Sequence, residues 1–257
     1  MTRRFLQVLS LSLAVGAVAA GAQSPSRVEI EARYWSADLG GTVEVLEAGQ
    51  GTTIDLADDL GVESDEPIEL RLTLRPSRRT QIRLSWTDLA FAGDNVLSRT
   101  IEFAGQMYTL STRVVSQMDV EYARAGFSWQ FLSNRDGTFR LGPLVEVKGF
   151  RGEASIVAPD LPFPAEESQD FEGAFGAVGA VLDIEAGDRV QIFAEATYVV
   201  EADDADGTDF EAGARVLLTR NLAAVGGYRS FSVDATEGDD NFDIDIEGPY
   251  VGLTLRF

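Results

Sequence analysis

The chain of 257 residues contains no histidine and no cysteine. Without these residues it cannot form a Ser-His dyad, an Asp-His pair or a His-ligated zinc site. Its many Asp and Glu residues lie mostly in polar connections, where they are poor indicators of paired acid-base chemistry. The sequence therefore predicts a protein without enzymatic activity, and we expect no catalytic residues, no cofactor-binding residues and no metal-ligand residues.

Long apolar runs are also lacking. After residue 22, no stretch approaches the ~18 consecutive apolar residues of a transmembrane helix. The apolar run 5–20 follows the basic pair Arg3-Arg4 and ends in Ala20-Gly21-Ala22, a pattern typical of a signal peptide. Because the chain has no Cys, this cannot be a lipoprotein signal. We expect residues 1–22 to be cleaved and residues 23–257 to form a single domain.

The chain shows instead a regular alternation of apolar and polar residues with a period of two. In one segment Val190, Ile192 and Ala194 share a face, while Gln191 and Glu195 occupy the other. No segment shows a convincing helical repeat, so the sequence predicts an all-β protein. The segments with strand character are 28–39, 68–75, 80–91, 114–131, 139–157, 171–184, 190–200, 210–219, 222–233 and 246–257.

The connections between these segments alternate between short and long. This alternation is typical of an antiparallel up-and-down transmembrane β-barrel, which has short periplasmic turns and longer outer loops. Within the second long connection, 100–103 and 107–112 flank a candidate hairpin tip. We predict ten strands, with eight as the alternative. The short connections are 76–79, 132–138, 186–189 and 220–221, and the long ones are 40–67, 92–113, 158–170, 201–209 and 234–245.

The net charge of −21 is divided according to the type of connection. Four segments without any Lys or Arg hold 25 of the 42 acidic residues, and they are 40–67, 158–170, 201–211 and 234–247. We expect acidic outer loops that repel nucleic acid and attract divalent cations, or else a solvated surface without a ligand. Residues 204–209 and 239–245 weakly resemble calcium loops, but the EF-hand pattern fails in the former. The short turns carry Arg78, Arg79, Arg135, Arg189 and Arg220.

The polar faces of the strands carry charges of both signs. If the apolar faces meet lipid, these charges line an interior that is narrow and filled by side chains in a barrel of eight to ten strands. We expect a structural network of ion pairs, with a narrow conducting path and a ligand pocket as alternatives. The residues on or near this face are Glu29, Glu31, Arg33, Glu69, Arg71, Arg83, Glu121, Arg124, Glu195, Arg215, Arg229 and Arg256.

The last eight residues form an alternating strand that ends on Phe257. Its Gly252, Leu255 and terminal Phe257 resemble the C-terminal signal of bacterial outer-membrane β-barrel proteins, and the mature chain resembles the small-barrel OmpA/OmpW-like group. The resemblance implies a monomer in the cell outer membrane, in contact with lipid and lipopolysaccharide, whose last strand is read by the barrel-assembly machinery. The enzymes known among such barrels use a catalytic His, which this chain lacks. Residues 53–61 resemble a stretch of uncharacterised outer-membrane barrels, and they would otherwise form a capped turn over the barrel mouth.

Aromatic residues near the strand ends fit the two interfaces of a membrane. The predicted function is a structural or surface-interaction role with a largely filled lumen. A narrow, cation-preferring, porin-like channel is one alternative, and a soluble secreted β-protein is another. The aromatic residues are Trp129, Phe131, Phe139 and Phe257 at the periplasmic end, and Tyr34, Trp35, Phe91, Tyr198 and Phe210 at the outer end.

Overall fold

A computed structural model describes residues 27–44, 46, 51–103, 105–134, 136–161, 165–200, 205–237 and 240–257. The predicted signal peptide, 1–22, lies outside the described residues. Within them, no helix is long and apolar enough to span a membrane. The strands are β1 Val28–Trp35, β2 Asp38–Glu44, β3 Ile54–Asp55, β4 Ile68–Leu74, β5 Thr80–Val96, β6 Ile101–Phe103, β7 Gln106–Tyr108, β8 Arg113–Trp129, β9 Leu132–Ser133, β10 Phe139–Ala158, β11 Ala165–Ala186, β12 Val190–Val199, β13 Ala205–Leu217, β14 Leu222–Glu237 and β15 Asp240–Arg256.

Ten of these strands form a closed antiparallel barrel in the order β1, β4, β5, β8, β10, β11, β12, β13, β14 and β15. The barrel closes because β15 pairs with β1, from Glu29 opposite Arg256 to Trp35 opposite Tyr250. Beyond Trp35, the chain continues as β2 along the outer half of β15. The prediction of a ten-stranded up-and-down barrel is confirmed.

The two faces of each strand follow the predicted alternation. On β15, Val251, Leu253 and Leu255 are exposed on the outer wall while Tyr250 and Thr254 are buried inside. Similar apolar side chains form a belt around the wall, and a wall of this kind is suited to lipid. Its larger members include Ile30, Leu70, Leu84, Trp86, Phe127, Val145, Val147, Val178, Ile192, Phe210 and Val216.

The predicted aromatic positions divide between the wall and the interior. Trp129, Phe131, Phe139 and Phe257 are exposed near the end that carries the short turns, and Tyr34, Tyr198 and Phe210 are exposed towards the other end. Trp35 and Phe91 are instead buried inside the barrel. Trp35 follows the outward-facing Tyr34 directly, and successive residues of a strand point to opposite faces.

The strands extend further from the membrane than predicted. β14 reaches Glu237 and β15 begins at Asp240, so most of 234–245 is a paired hairpin rather than a loop. The same holds for 158–170 and 201–209, where β10, β11 and β13 extend into the predicted loops. Above the membrane the outer face of a strand meets water, so acidic residues there disturb neither pairing nor alternation.

Two segments fold into the outer end of the barrel. Residues 54–66 complete the wall above the short strand β4, because β3 pairs with β2 and Val62 forms a bridge with Gly93. The predicted capped turn is present, since Asp55 Oδ1 accepts hydrogen bonds from the backbone N–H groups of Ala57 and Asp58. The predicted hairpin is also present as β6 and β7, which among the described strands pair only with each other.

These segments bury an apolar cluster inside the outer half of the barrel, which we call the outer core. Its cavity has a volume of only about 50 Å³. The outer half is therefore packed with side chains. The outer core contains Trp35, Leu39, Ile54, Leu56, Leu60, Phe91, Leu97, Ile101, Phe103, Tyr108, Val114 and Ile156.

Candidate functional site in the barrel lumen

Charged side chains fill the lumen on the periplasmic side of the outer core. Of the twelve charges predicted to face inwards, Glu121 does not, because it lies an odd number of residues from the buried Arg124 on the same strand. It points to the outer wall and pairs there with Arg151. The other eleven lie in the lumen, with Arg256 only partly buried. We call the central charged residues the ionic layer, and they are Glu31, Arg33, Glu69, Arg71, Arg83, Arg124, Lys148, Glu195, Asp209, Glu211, Arg215 and Arg229.

Glu211 on β13 is fully buried within this layer. Its carboxylate accepts hydrogen bonds from Arg33 Nη1 at 2.6 Å, from Arg71 Nη2 at 2.7 Å and from the Tyr250 hydroxyl at 2.9 Å. Charged hydrogen bonds of this kind are among the stronger ones in proteins. Glu211 thus ties β13 to β1, β4 and β15 across the lumen.

Asp209, two residues earlier on β13, forms a second centre. Arg229 binds it with two donors, Nε at 3.1 Å and Nη2 at 2.9 Å, and Lys148 Nζ donates at 2.6 Å. Arg229 and Arg124 also donate to Glu69, which links this centre to the first. Asp209, predicted to belong to an acidic outer loop, is therefore a buried member of the ionic layer.

Further pairs continue the network towards the periplasmic end. Glu31 accepts from Arg215 at 2.9 Å and from the Thr254 hydroxyl at 2.6 Å. Arg83 on β5 pairs with Glu195 on β12. Nearer the turns, Asp183 accepts from Gln130 and Gln191, and Arg256 contacts Glu29 at 3.0 Å.

Aromatic rings lie against several of these cations. The guanidinium carbon of Arg33 is 4.3 Å from the ring centre of Tyr250, and that of Arg215 is 4.2 Å from the ring centre of Phe193. Arg229 lies 5.1 Å from the ring centre of Trp35, a residue of the outer core. Such contacts favour a cation in a dehydrated place, so the ionic layer and the outer core are in direct contact.

The inward-facing set was incomplete in the sequence-based prediction. Glu146, Lys148 and Asp183 are buried in the lumen but were not identified, and Glu211 was counted in the acidic segment 201–211 rather than among the inward-facing charges. The alternation along β10 could have identified two of them. Glu146 and Lys148 alternate with the outward-facing Val145, Val147 and Gly149, so their side chains point into the lumen. Their partners across the barrel depend on the stagger between strands, and the alternation along a single strand gives no information about this stagger.

The outer segment 54–66 is held by an ion pair of its own. Arg99 donates to both carboxylate oxygens of the buried Asp59, with Nε 3.0 Å from Oδ1. These hydrogen bonds from Arg99 hold the pKa of Asp59 below its usual range. In the adjacent outer core, burial raises the pKa of Tyr108 to about 12, and its hydroxyl donates to the carbonyl of Ile156.

Two rows of charged side chains cross the outer wall just above the apolar belt, on β5, β8, β10 and β11. They flank a shallow groove with a volume of about 890 Å³. Neither here nor elsewhere in the described residues do three or more Asp or Glu side chains form a group suited to a metal ion. One row is Asp88, Glu121, Arg151 and Glu172, and the other, which begins opposite the uncharged Ala90 of β5, is Asp119, Glu153 and Asp170.

The remaining predicted acidic positions are only partly described. Asp203, Asp204 and Asp239 lie outside the described residues. Asp206 accepts a hydrogen bond from the Tyr198 hydroxyl. Partial desolvation of the exposed carboxyl, together with repulsion from Asp234 and Asp245, raises the pKa of Asp243, as expected where like charges face one another across a hairpin.

Comparisons with known proteins agree with this architecture. The outer-membrane protease OmpT of Escherichia coli superimposes with a TM-score of 0.59 at 9% sequence identity, covering 91% of this chain and 98% of that one. The translocator domain of the autotransporter NalP from Neisseria meningitidis gives a TM-score of 0.50 at 12% identity, covering 90% of this chain and 88% of that one. The chain has the fold of the outer-membrane β-barrel proteins. With the apolar belt around its wall, this fold places the protein in the cell outer membrane.

Sequence comparisons reach only part of the chain. A family model described as YfaZ precursor matches residues 161–257, a range that includes β11 to β15. No curated protein matches the chain. At identities near one residue in ten, the structural similarity concerns the fold and carries no activity across.

Proposed function

We propose that the protein is a non-enzymatic outer-membrane barrel with a closed lumen and a structural or surface-interaction role. The observation that carries the proposal is the succession of two filled layers, the ionic layer and the outer core, along one barrel axis. A barrel of this size has little interior space beyond its side chains. A permeating ion would have to displace buried ion pairs and then cross an apolar layer.

The two layers oppose permeation in different ways. In the ionic layer, each guanidinium contacts carboxylates on other strands, so moving one side chain leaves a buried partner unpaired. In the outer core, an ion meets Leu56, Leu60 and Phe91, which offer it no ligands. Removing an ion from water without compensation costs several kcal/mol or more. We therefore expect both layers to need disruption before ions pass.

Planar-bilayer recordings of the refolded protein and three variants test this proposal. One variant replaces 53–61 with a flexible Gly-Ser linker, a second carries Arg71→Ser with Glu211→Ser, and a third combines both changes. We expect no steady conductance from the wild type or the linker variant, and steady conductance from the combined variant. An exposed pair changed in the same way, Arg151→Ser with Glu121→Ser, serves as the matched control and should leave the wild-type result unchanged.

Steady, cation-selective conductance of the wild type would contradict the closed lumen and favour the narrow channel instead. The acidic segments at the outer end give this second candidate its basis, because a negative mouth concentrates cations over about 8 Å at physiological salt. Its selectivity would then weaken as the salt concentration rises.

The absence of His and Cys from the chain supports the non-enzymatic part of the proposal. The activity named for OmpT belongs to that protein, and its 9% identity to this chain transfers none of it. Incubation of the folded barrel with a mixed fluorogenic peptide library should give no cleavage above that of the heat-denatured sample. Cleavage by the folded sample alone would overturn this part.

We further propose lipopolysaccharide as the partner of the outer wall and the barrel-assembly machinery as the partner of β15. The charged rows carry six carboxylates and one arginine directly above the apolar belt, where bridging divalent cations could join them to lipopolysaccharide phosphates. Binding of the barrel to lipopolysaccharide vesicles should require Mg²⁺ and weaken in Asp119→Asn with Glu153→Asn and Asp170→Asn. Equal binding with and without chelator would contradict the bridging role.

A further inference from the structure

Five aromatic side chains on β8, β10, β11 and β14 face the lumen and form a continuous surface, which we call the aromatic patch. The ring centres of Phe171 and Phe150 are 6.3 Å apart, and those of Phe150 and Phe175 are 6.1 Å apart. Phe231 continues the patch at 6.5 Å from Phe175, and Tyr122 ends it at 5.6 Å from Phe231. None of the five belongs to the outer core. The patch is therefore a separate feature of the lumen.

The two outermost rings lean over glycines of the neighbouring strand. Phe150 on β10 is opposite Gly173 on β11, and Phe171 on β11 is opposite Gly152 on β10. A Cβ added to Gly173 would be 2.6 Å from Phe150 Cζ, and one added to Gly152 would be 2.6 Å from Phe171 Cζ. Phe150, Phe171 and Phe175 are only half-buried. Because these rings point away from the lipid, their accessible surface lies on the inner side of the wall.

The two buried rings of the patch already lie beside cations. Lys148 Nζ is 5.6 Å from the ring centre of Phe231. The guanidinium carbon of Arg229 is 5.4 Å from the ring centre of Tyr122. Both cations also bind Asp209 in the ionic layer. The three half-buried rings have no comparable cation among the described residues, so their surfaces are not used by the protein itself.

The outer end of the barrel above the patch is negatively charged. The hairpins β10–β11, β12–β13 and β14–β15 carry the segments 158–170, 201–211 and 234–247, in which no Lys or Arg occurs. Inside the barrel, Glu167 lies on the same face of β11 as Phe171, four residues nearer the outer end. It is half-buried and forms no ion pair with a described residue. Acidic groups so placed raise the local concentration of cations.

The combination of aromatic rings and acidic surroundings suits an organic cation. The face of an aromatic ring attracts weakly hydrated cations, and quaternary ammonium groups are recognised in this way. A small metal ion would find no oxygen ligands among the phenylalanine rings, and an anion would be repelled at the outer end. We propose that the aromatic patch binds an organic ammonium cation with an apolar or aromatic group, which enters from the outer end of the barrel.

The site does not depend on conduction through the barrel. On β10, which runs from the periplasmic turns to the outer end, Phe150 follows Lys148 and therefore lies outward of it. Phe171 lies further outward still, since it pairs with Gly152. A cation bound to these rings has not crossed the ionic layer. The closed lumen can thus be wrong without the binding site being wrong, and the reverse is also true.

Calorimetric titration of the refolded barrel in an uncharged detergent tests the charge preference with three aromatic probes of similar size. The probes are benzyltrimethylammonium, neutral benzyl alcohol and anionic benzenesulfonate. We expect benzyltrimethylammonium to bind roughly tenfold more tightly than benzyl alcohol, because only the cation gains from the ring faces and the acidic surroundings. Benzenesulfonate should not bind. Equal or tighter binding of benzyl alcohol would show a merely apolar surface and overturn the proposal.

Substitution of the rings tests the place of binding. Phe150→Leu with Phe171→Leu keeps apolar side chains but removes two ring faces, and it should weaken binding of benzyltrimethylammonium roughly tenfold. Phe127→Leu with Phe210→Leu, two exposed phenylalanines of the outer wall, is the matched control and should leave binding unchanged. If the first double variant gives no folded band, Phe171→Leu alone should still weaken binding. Unchanged affinity in the folded patch variant would mean that the cation associates with the acidic surface only, and the site would be wrong.

The acidic contribution and the contact itself can be measured separately. Glu167→Gln should weaken binding more than Glu166→Gln, which makes the same change of charge on the outward face of β11. Nuclear Overhauser effects should connect the N-methyl protons of the probe with phenylalanine ring protons, and they should disappear in Phe150→Leu with Phe171→Leu. Effects that persist unchanged in this variant would place the cation elsewhere and contradict the proposal.

Discussion

Arg33 on β1 and Glu211 on β13 are joined across the lumen, with 2.6 Å between Nη1 and Oε1, although 178 positions separate them in the chain. The two strands are not neighbours in the barrel wall. The contact therefore stabilises the cross-section of the barrel rather than any one strand pairing. It also requires a particular stagger, because a slip of one residue would turn Glu211 to the lipid face.

A double-mutant cycle on this pair should show strong coupling. Arg33→Met or Glu211→Leu alone should each destabilise the barrel by about 3–5 kcal/mol, because each leaves a buried charge without its partner. The double variant should cost less than the sum by about 1–3 kcal/mol. Urea unfolding in lipid vesicles measures these differences. The exposed pair Arg113 and Asp94, also 2.6 Å apart, is the control. Its coupling energy should be no more than about 1 kcal/mol. Equal coupling energies in the two pairs would show that burial does not strengthen the Arg33–Glu211 interaction.

The outer segment 54–66 should loosen in acid. Arg99 lowers the pKa of Asp59. The ion pair therefore contributes its full stabilisation at pH values above the ordinary carboxyl pKa of about 3.9. It is lost as the pH falls through the lowered value. Hydrogen-exchange protection of 51–62 should therefore stay constant from about pH 7 to pH 5 and fall below about pH 4.

Two neighbouring substitutions distinguish the contribution of the Arg99–Asp59 ion pair from the general effect of acid on the protein. They are Asp59→Asn and Asp58→Asn. Asp58 is exposed, and its side chain makes none of the hydrogen bonds that hold the segment. Asp59→Asn should lower the protection of 51–62 already at neutral pH, while Asp58→Asn should leave it unchanged. The same protection in both variants would show that Arg99 does not hold the segment.

Closure of the barrel should depend on Gly252. A Cβ at this position would lie 2.3 Å from the carbonyl oxygen of Ala32 on β1, which is far closer than atoms can approach without a backbone shift. Gly252→Ala should lower the fraction of protein that migrates as a folded band before boiling. Gly149→Ala is the matched control, since the nearest atom to its Cβ would be 3.9 Å away. Similar folded fractions would show that β1 and β15 tolerate a side chain here.

Removal of Phe257 should reduce assembly in cells for a related reason. The backbone N–H of Phe257 donates to Val28 at 2.9 Å, and its carbonyl accepts from Arg27 at 2.9 Å. The last residue thus helps to join the two ends of the barrel. Outer-membrane levels should fall far more on this deletion than on Asp243→Asn with Asp245→Asn in the outer hairpin. Unchanged levels after deletion would make the C-terminal resemblance incidental.

The sequence by itself determined the class of fold and the strand boundaries at the membrane. Alternation with a period of two is a local property, so the ten segments and their lipid-facing sides could be read from it. The same alternation correctly predicted that Glu31, Arg33 and Arg215 face the lumen. Glu121 was assigned to the wrong face because the alternation along its strand was not followed strictly. The outer ends of β13 to β15 were predicted as loops because acidic residues are not typical of β-strands.

Only the tertiary structure decided which charges meet. Glu211 joins Arg33 and Arg71 through the stagger and closure of all ten strands, a property of the barrel that no single segment records. The same holds for the outer core, where Ile54 and Leu56 leave the predicted loop to pack against Phe91, Phe103 and Ile156. Local patterns therefore determined the wall, whereas long-range packing determined what fills it.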